Sequence, residues 1–414
     1  MDTNTRSVST FGAAPHRIMP DPGAVLLKEG LAKEALPFLL EAHRREPNEW
    51  RHSCNLGVAY RILGDLESGK HYFKKALDSN HQAYPIWLNF AVLLDDLGDF
   101  THSFQAYQAA FQLQPHDQKV AMGWATALFR EGRWKEAWTF WEFGRFNQSY
   151  RACEIPQWSG EPLDGKKILV TPEGGYGDFI NYLPYARKLK DMGAKVSVLT
   201  WDRLIPLLEE QGWLDHIYPR SAPREFPDID YVVSVCSLPG CFELEPDTIK
   251  PEIPYLKVNE KLVEEYAKRL PKGTKIGFCW SAEEACTARK HRSMTTEEAG
   301  KLVTRNHNWI SLQYKETPPE GVLQFPDMVD GWDKTAALVS LCDLVITVDT
   351  AIGHLAGALG KPCWLLLGVN HDWRWLRNRT DSVWYPTMRI FRETKPLTWG
   401  NVIRDVREAL CGLD

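Results

Sequence analysis

A glycine returns every 34 residues along the first third of this chain, at Gly30, Gly64, Gly98 and Gly132. Four further positions keep the same step: Gly23, Gly57, Ala91 and Ala125; Ala35, Gly69, Ser103 and Ala137; Leu39, Phe73, Tyr107 and Trp141; Ala42, Ala76, Ala110 and Gly144. A period of this length admits few folds, because each unit is too short to bury its own apolar face and must stack on a neighbour. The pattern predicts a pair of helices per unit. The recurrent glycine takes the left-handed conformation that stops the first helix. The small positions let the two helices approach, and the bulky one fills the gap between one unit and the next. Pro47 and Pro115 close their units.

Five positions agreeing across four units resemble the tetratricopeptide repeat, over residues 16–150. The first unit is irregular. Pro20 and Pro22 cut its first helix short and Pro37 sits inside its second, so it is expected to cap the array. Repeats of this type offer a concave face to a protein or peptide. Binding of a protein segment, or self-association, is therefore expected, with a purely structural array as the alternative.

Composition excludes several classes. A net charge of −5 over 414 residues gives no general attraction to nucleic acid or anionic membranes, although local basic clusters can still hold phosphate. Nine cysteines without a CxxC pair read as free thiols in a reducing cytoplasm. The first residues lack the apolar stretch of a signal peptide, and no run approaches the roughly 18 apolar residues of a membrane span. Trp is frequent, at 17, with many in the repeats and near the C-terminus.

Residues 151–165 are rich in turn formers and read as a linker. From 166 to 260 the pattern is α/β. Lys167–Thr171 is a short buried strand, followed by a glycine-rich loop from Pro172 to Gly177, a helix from Asp178 to Met192 and a strand at Val196–Leu199. That is a βαβ unit with a right-handed crossover. Its loop matches neither the dinucleotide fingerprint nor a Walker loop, so it signals only a tight turn or a backbone close to a ligand. Residues 261–414 form a second α/β half, with strands at "KIGFCW", "WISLQY", "LVITVD" and "CWLLLG" and a last helix that is expected to cross back to the first half. Two such halves leave a cleft at the carboxyl ends of their strands, where ligands bind.

The stretch "VDTAIGHLAGALGKP" leaves a strand and opens a helix. Thr350 is placed to cap that helix. Ala351, Ile352 and Gly353 then present backbone N–H groups which, with the helix dipole, favour an anion. Asp349 ends the strand and His354 lies on the helix face; a capped helix with a core histidine is the plain alternative. "RKHRSM", read as a loop, supplies Lys290 and Arg292, and "SLQYKE" puts Gln313 and Lys315 at another strand end. Three strand-end segments with phosphate- or base-binding chemistry point to a nucleotide diphosphate. "HDWRWLRNRTDSVWYPTMRIFR" mixes aromatics with arginines, which reads as cleft-wall packing and donor-side binding, or else as nucleic-acid contact.

From about 165 onward these stretches, with "EGGYGDFINYLPYA", "IGFCWSA" and "KHRSM", resemble a bacterial glycosyltransferase of the GT-B type, heptosyltransferase-like and carrying tetratricopeptide repeats. O-linked N-acetylglucosamine transferases share that overall plan. The resemblance implies a helical array followed by two Rossmann-like domains, and metal-independent, inverting transfer from a nucleotide sugar, with no cofactor. It implies that Asp178 is the catalytic base, although Asp178 is equally placed to cap its helix. Gly175, Gly177, Lys290, Arg292, Gln313, Lys315, Asp349, Thr350, Ala351, Ile352 and His354 are the implied donor-side residues. The longer "SAEEACTARKHRSM" loop departs from many relatives, which puts the basic contact in question. The repeats would recruit a protein or peptide acceptor. The alternatives are a transferase acting on modified nucleic acid or a glycan, and a non-catalytic repeat scaffold that neither binds nor cleaves nucleotide sugars. The sugar, the base, the acceptor and the oligomeric state stay open.

Overall fold

The computed structural model describes residues 21–145, 155–221, 226, 228–250, 252–283 and 289–412, the side chains of 289 and 290 excepted. Pro20, Cys153 and Cys286 lie outside these. The chain divides into two compact units at Phe90.

The first unit contains α1 (Pro22–Lys28), α2 (Ala32–Arg45), α3 (Trp50–Leu63), α4 (Leu66–Ser79) and the start of α5 (Tyr84–Leu97). Pro22 opens α1, which is half the length of the others, whereas α2 runs on through Pro37. Gly30 and Gly64 turn at φ of +82° and +87°, a region that is costly for a residue with a Cβ. After Gly64, Asp65 caps α4 by accepting the Ser68 N–H at 3.1 Å. The bulky position does more than the period implied. Leu39 and Phe73 pack inside their own helix pairs, because a Cβ on Gly23 or Gly57 would come within 2.8 Å or 2.9 Å of them. Phe73 also reaches Phe90, at 5.8 Å between ring centroids.

The second unit spans residues 91–414, so the last repeats and the α/β region form one unit where a boundary near 150 was expected. Its repeat helices are the rest of α5, α6 (Phe100–Leu113), α7 (Gln118–Arg130) and α8 (Trp134–Gly144), with Gly98 and Gly132 again at φ of +75°. Strands β1 (Lys167–Thr171), β2 (Lys195–Thr200), β3 (His216–Pro219) and β4 (Tyr231–Ser234) form a parallel sheet in the order β3-β2-β1-β4. Helix α9 (Tyr176–Asp191) joins β1 to β2, α10 (Ile205–Glu209) precedes β3, and α11 (Leu238–Cys241) and α12 (Glu260–Arg269) follow β4.

The second sheet holds β5 (Lys275–Cys279), β6 (Asn308–Ser311), β7 (Val322–Leu323), β8 (Leu344–Val348), β9 (Cys363–Leu367) and β10 (Met388–Arg392). All pair in parallel, in the order β10-β9-β8-β5-β6-β7. That is the doubly wound order, whose direction reverses between β5 and β8 and opens a crevice at their carboxyl ends. Strands β8 and β9 are apolar almost throughout and fully buried, as parallel strands covered on both faces must be. The helices here are α13 (Arg289–Arg292), α14 (Thr296–Gly300), α15 (Trp332–Ser340), α16 (Ala351–Ala358) and α17 (Gly400–Leu410).

Two expectations need correcting. "RKHR" is a one-turn helix, α13, where a loop was read. The last helix, α17, stays with the second sheet, because its Val402, Val406 and Leu410 stripe enters that sheet's core. No helix among the described residues is long and apolar enough to cross a membrane.

Gly57→Ala gains roughly 1 kcal/mol of helix propensity but must part α3 and α4 over a fully buried ring, at about 1–3 kcal/mol. The α3 and α4 amides should exchange faster, and adding Phe73→Leu should recover most of the loss; unchanged exchange would contradict this packing.

Candidate active site

Helix α9 starts at the end of β1 through a tight glycine loop. Gly174 sits at φ +71°, and a Cβ on it would collide with the Asp178 carboxylate. Only glycine leaves room for Asp178 to fold back and accept the Gly175 N–H at Oδ2, 2.6 Å away. The other oxygen, Oδ1, pairs with the Arg374 guanidinium. Asp178 is thus a helix cap and an ion-pair partner at once.

Arg374 is buried. It donates from Nε to the Tyr182 hydroxyl at 2.6 Å and meets Asp372 Oδ2 at 3.0 Å. Burial opposes ionisation of Asp372, but Arg374 and Arg292 outweigh it and hold its pKa below the usual range. Arg292 lies 3.8 Å from Asp372 and 3.4 Å from Asp349 Oδ2. Asp349, at the end of β8, accepts the Trp375 indole N–H at 3.0 Å on Oδ1, while buried Oδ2 has no hydrogen bond. Burial raises the Asp349 pKa, against the opposing pull of Arg292.

Thr350 occupies the N-cap position of α16, yet its side chain caps nothing. Its hydroxyl lies 3.1 Å from that of Thr347 and 3.7 Å from Cys279 Sγ. Thr350 was expected to cap this helix, but no side-chain oxygen of its own covers the N-terminus of α16. Gly177 packs against that terminus: a Cβ there would lie 2.8 Å from the His354 ring and 3.3 Å from Ala351 Cα. His354 is buried beneath, 3.0 Å from the Tyr385 hydroxyl, which also accepts the Asn181 amide at 2.9 Å.

These groups line a cavity of about 570 Å³. Gly175, Gly177, Asp178, Arg292, Gln313, Lys315, Asp349, Thr350, Ala351, Ile352 and His354 all border it. Lys290 is the exception, since its side chain lies outside those described. Gln313 is spent on the wall: its amide oxygen accepts the Ser281 N–H at 3.1 Å and its nitrogen donates to Ser281 O at 3.0 Å, tying the end of β6 to that of β5. Lys315 stands at φ +58°, a sparsely allowed conformation for a lysine, with its ammonium 4.8 Å from the Tyr314 ring centre. Sequence reasoning placed Arg374 and Trp375 in a segment read as cleft-wall packing and donor-side binding, without a role for either residue, and passed over Asp372 and Tyr182. The signal was present in the alternation of Asp and Arg within "DWRW", but it acquires meaning only from Asp178 and Arg292 opposite.

Residues 332–378 match glycosyltransferase family 9 (heptosyltransferase), and residues 53–81 and 84–117 match the tetratricopeptide repeat. The first segment carries the α16 terminus, Asp372 and Arg374. Protein FlbA of Caulobacter vibrioides is 23% identical over 471 residues, covering 94% of this chain and 77% of that protein. Protein O-mannosyl-transferase TMTC1 of Homo sapiens is 34% identical over 83 residues, covering 20% of this chain and 9% of that protein. A thermophilic tetratricopeptide protein of Thermus thermophilus has a similar solved structure, at 21% identity and a TM-score of 0.29, covering 31% of this chain and 72% of that one. The chain is a tetratricopeptide-containing, glycosyltransferase-like protein: a helical array followed by a parallel-sheet region of GT-B-like plan.

Burial, then Arg374, hold the His354 pKa down at about 3, against an ordinary 6.5. A depressed histidine contributes stability that is complete above 6.5 and drains as pH falls from there toward about 3, because only the unfolded chain takes the proton. The unfolding free energy should therefore drop by up to about 1.4 kcal/mol per pH unit from this group. Denaturant titrations of His354→Gln should show a shallower acid slope than wild type. An equal slope would contradict a neutral, buried His354.

Proposed function

We propose that the chain is an inverting, metal-independent glycosyltransferase that moves a sugar from a nucleotide-diphosphate donor to a hydroxyl acceptor. One observation carries this reading. A single cavity collects a carboxylate from α9 in the first sheet's half, Asp178, and an N-terminus without a side-chain cap from the second half, that of α16, with Lys315 and Arg292 beside it.

The chemistry follows from that arrangement. The acceptor hydroxyl attacks the anomeric carbon as the bond to the diphosphate breaks. Asp178 takes the hydroxyl proton. The N–H groups of Ala351 and Ile352, the helix dipole, Lys315 and Arg292 receive the charge that develops on the leaving diphosphate. Gly175 and Arg374 fix the carboxylate, and each oxygen keeps a lone pair for the proton. Seven of the cysteines are described and none is in a disulfide, which fits work in a reducing cytoplasm. The repeats would bring a protein or peptide acceptor to the cavity.

A second reading, the non-catalytic scaffold, draws support from Asp178 itself, whose two oxygens already have partners within the protein.

Asp178→Asn should lower turnover by roughly 10²–10⁴-fold while a saturating nucleotide sugar still raises the melting temperature. Turnover near wild type would remove Asp178 as the base. A wild-type protein that neither binds nor cleaves any nucleotide sugar would establish the scaffold. Wild-type turnover should also survive EDTA, and loss rescued only by a divalent ion would count against cationic side chains as the charge acceptors.

A further inference from the structure

Two of the loops that carry or aim charged groups of the cavity are held from behind by the same structural element, the hairpin of α7 and α8. The first loop runs from Val369 to Arg377 and contains Asp372 and Arg374. Between them Trp373 stacks on Phe129 of α7, with ring centroids 4.1 Å apart and planes 17° from parallel. Two residues before Asp372, Asn370 is gripped at both ends of its amide. Its oxygen accepts from Arg130 at 3.0 Å and its nitrogen donates to Asp96 at 2.6 Å. At the far end of the loop, Arg377 pairs with Glu131 at 2.5 Å. The turn glycine of the preceding repeat also abuts this loop, since a Cβ on Gly98 would collide with the Val369 side chain.

The second loop is the glycine turn that aims Asp178. Glu173, immediately before Gly174, is buried under the guanidinium of Arg145 at the end of α8. Arg145 grips both carboxylate oxygens of Glu173, the one to Nε at 2.7 Å, and Nη1 donates to Cys236 O at 3.1 Å. A two-pronged arginine–carboxylate pair fixes direction as well as distance.

An apolar contact alone tolerates sliding, but this hairpin adds directional polar bonds to both loops, buried at Glu173, partly buried at Asn370 and exposed at Arg377. Asp372 and Arg374 flank Trp373, so a shift of that ring moves both. We infer that the last repeat hairpin positions the active-site charges, with Arg130, Glu131 and Arg145 as positioning residues, so that the repeats are part of the transfer site as well as a recruitment surface. The positioning itself stands alone; its catalytic consequence rests on the transferase reading.

The test uses the full-length protein. Glu131 and Arg377 are partly exposed, so their charges can be reversed without opening a core. Glu131→Arg should speed hydrogen exchange in residues 369–378 and lower kcat by about tenfold to a hundredfold, with KM little changed, as expected for misplacement of reacting groups. Glu131→Arg with Arg377→Glu should restore both. Arg145→Lys, which keeps the charge and loses the two-pronged grip, should do the same to residues 174–178; if it does not fold, the charge-reversal pair carries the test. Exchange in 369–378 untouched by Glu131→Arg, or a double variant as impaired as the single one, would overturn the inference. If wild type neither binds nor turns over a nucleotide sugar, the transferase reading fails, and the exchange data still decide the positioning claim.

Discussion

Five side chains alternate in charge across the cavity: Asp178, Arg374, Asp372, Arg292 and Asp349. The rest of the site depends on this chain of charges. A charge taken out of water costs several kcal/mol unless neighbours compensate it, and stripping one partner from a buried pair costs about 3–5 kcal/mol. Arg374, Asp372 and Asp349 are therefore tolerable only as a set. The first member comes from the helix that follows β1 and the other four from the second sheet's half, so the same electrostatics that neutralise the groups also fix one half's candidate base against the other half's proposed anion site. Burial raises the Asp349 pKa, whereas Arg374 and Arg292 together hold that of Asp372 below the usual range against the same burial.

The proposed anion site rests on backbone chemistry. A helix N-terminus carries unsatisfied N–H groups, and proteins usually cover them with a side-chain oxygen. At α16 the residue in place to do so, Thr350, turns to Thr347 instead. Gly177 brings α9 close to this terminus, and Gly174 allows Asp178 to bend back, so two glycines in one loop serve two different close approaches.

Much of this was legible in the sequence because it is local. The 34-residue period marked the repeats, their turns and their small positions. The apolar runs marked β1, β2, β5, β6, β8 and β9, and the strand-to-helix joins held nearly every predicted residue that borders the cavity. What was illegible is long-range or orientational. Asp178 and Arg374 are 196 positions apart, and Arg145 and Glu173 meet across a linker, so spacing carries no trace of either pair. Gln313 read as a ligand contact because a polar residue at a strand end can face either way; here it braces the neighbouring strand. Strand β7 is only two residues long, and β10 lay within a segment whose aromatics and arginines hid any alternation. The crossing of the last helix was expected from the fold plan, whereas its own Val402, Val406 and Leu410 stripe keeps it on the second sheet.

The most direct measurement of the central claim is a crystal structure of the protein with a bound nucleotide sugar, grown without divalent ions. The account predicts the pyrophosphate within hydrogen-bonding distance of the Ala351 and Ile352 N–H groups, with the sugar facing Asp178. A cavity that stays empty at saturating donor, or a pyrophosphate bound away from the α16 terminus, would contradict it.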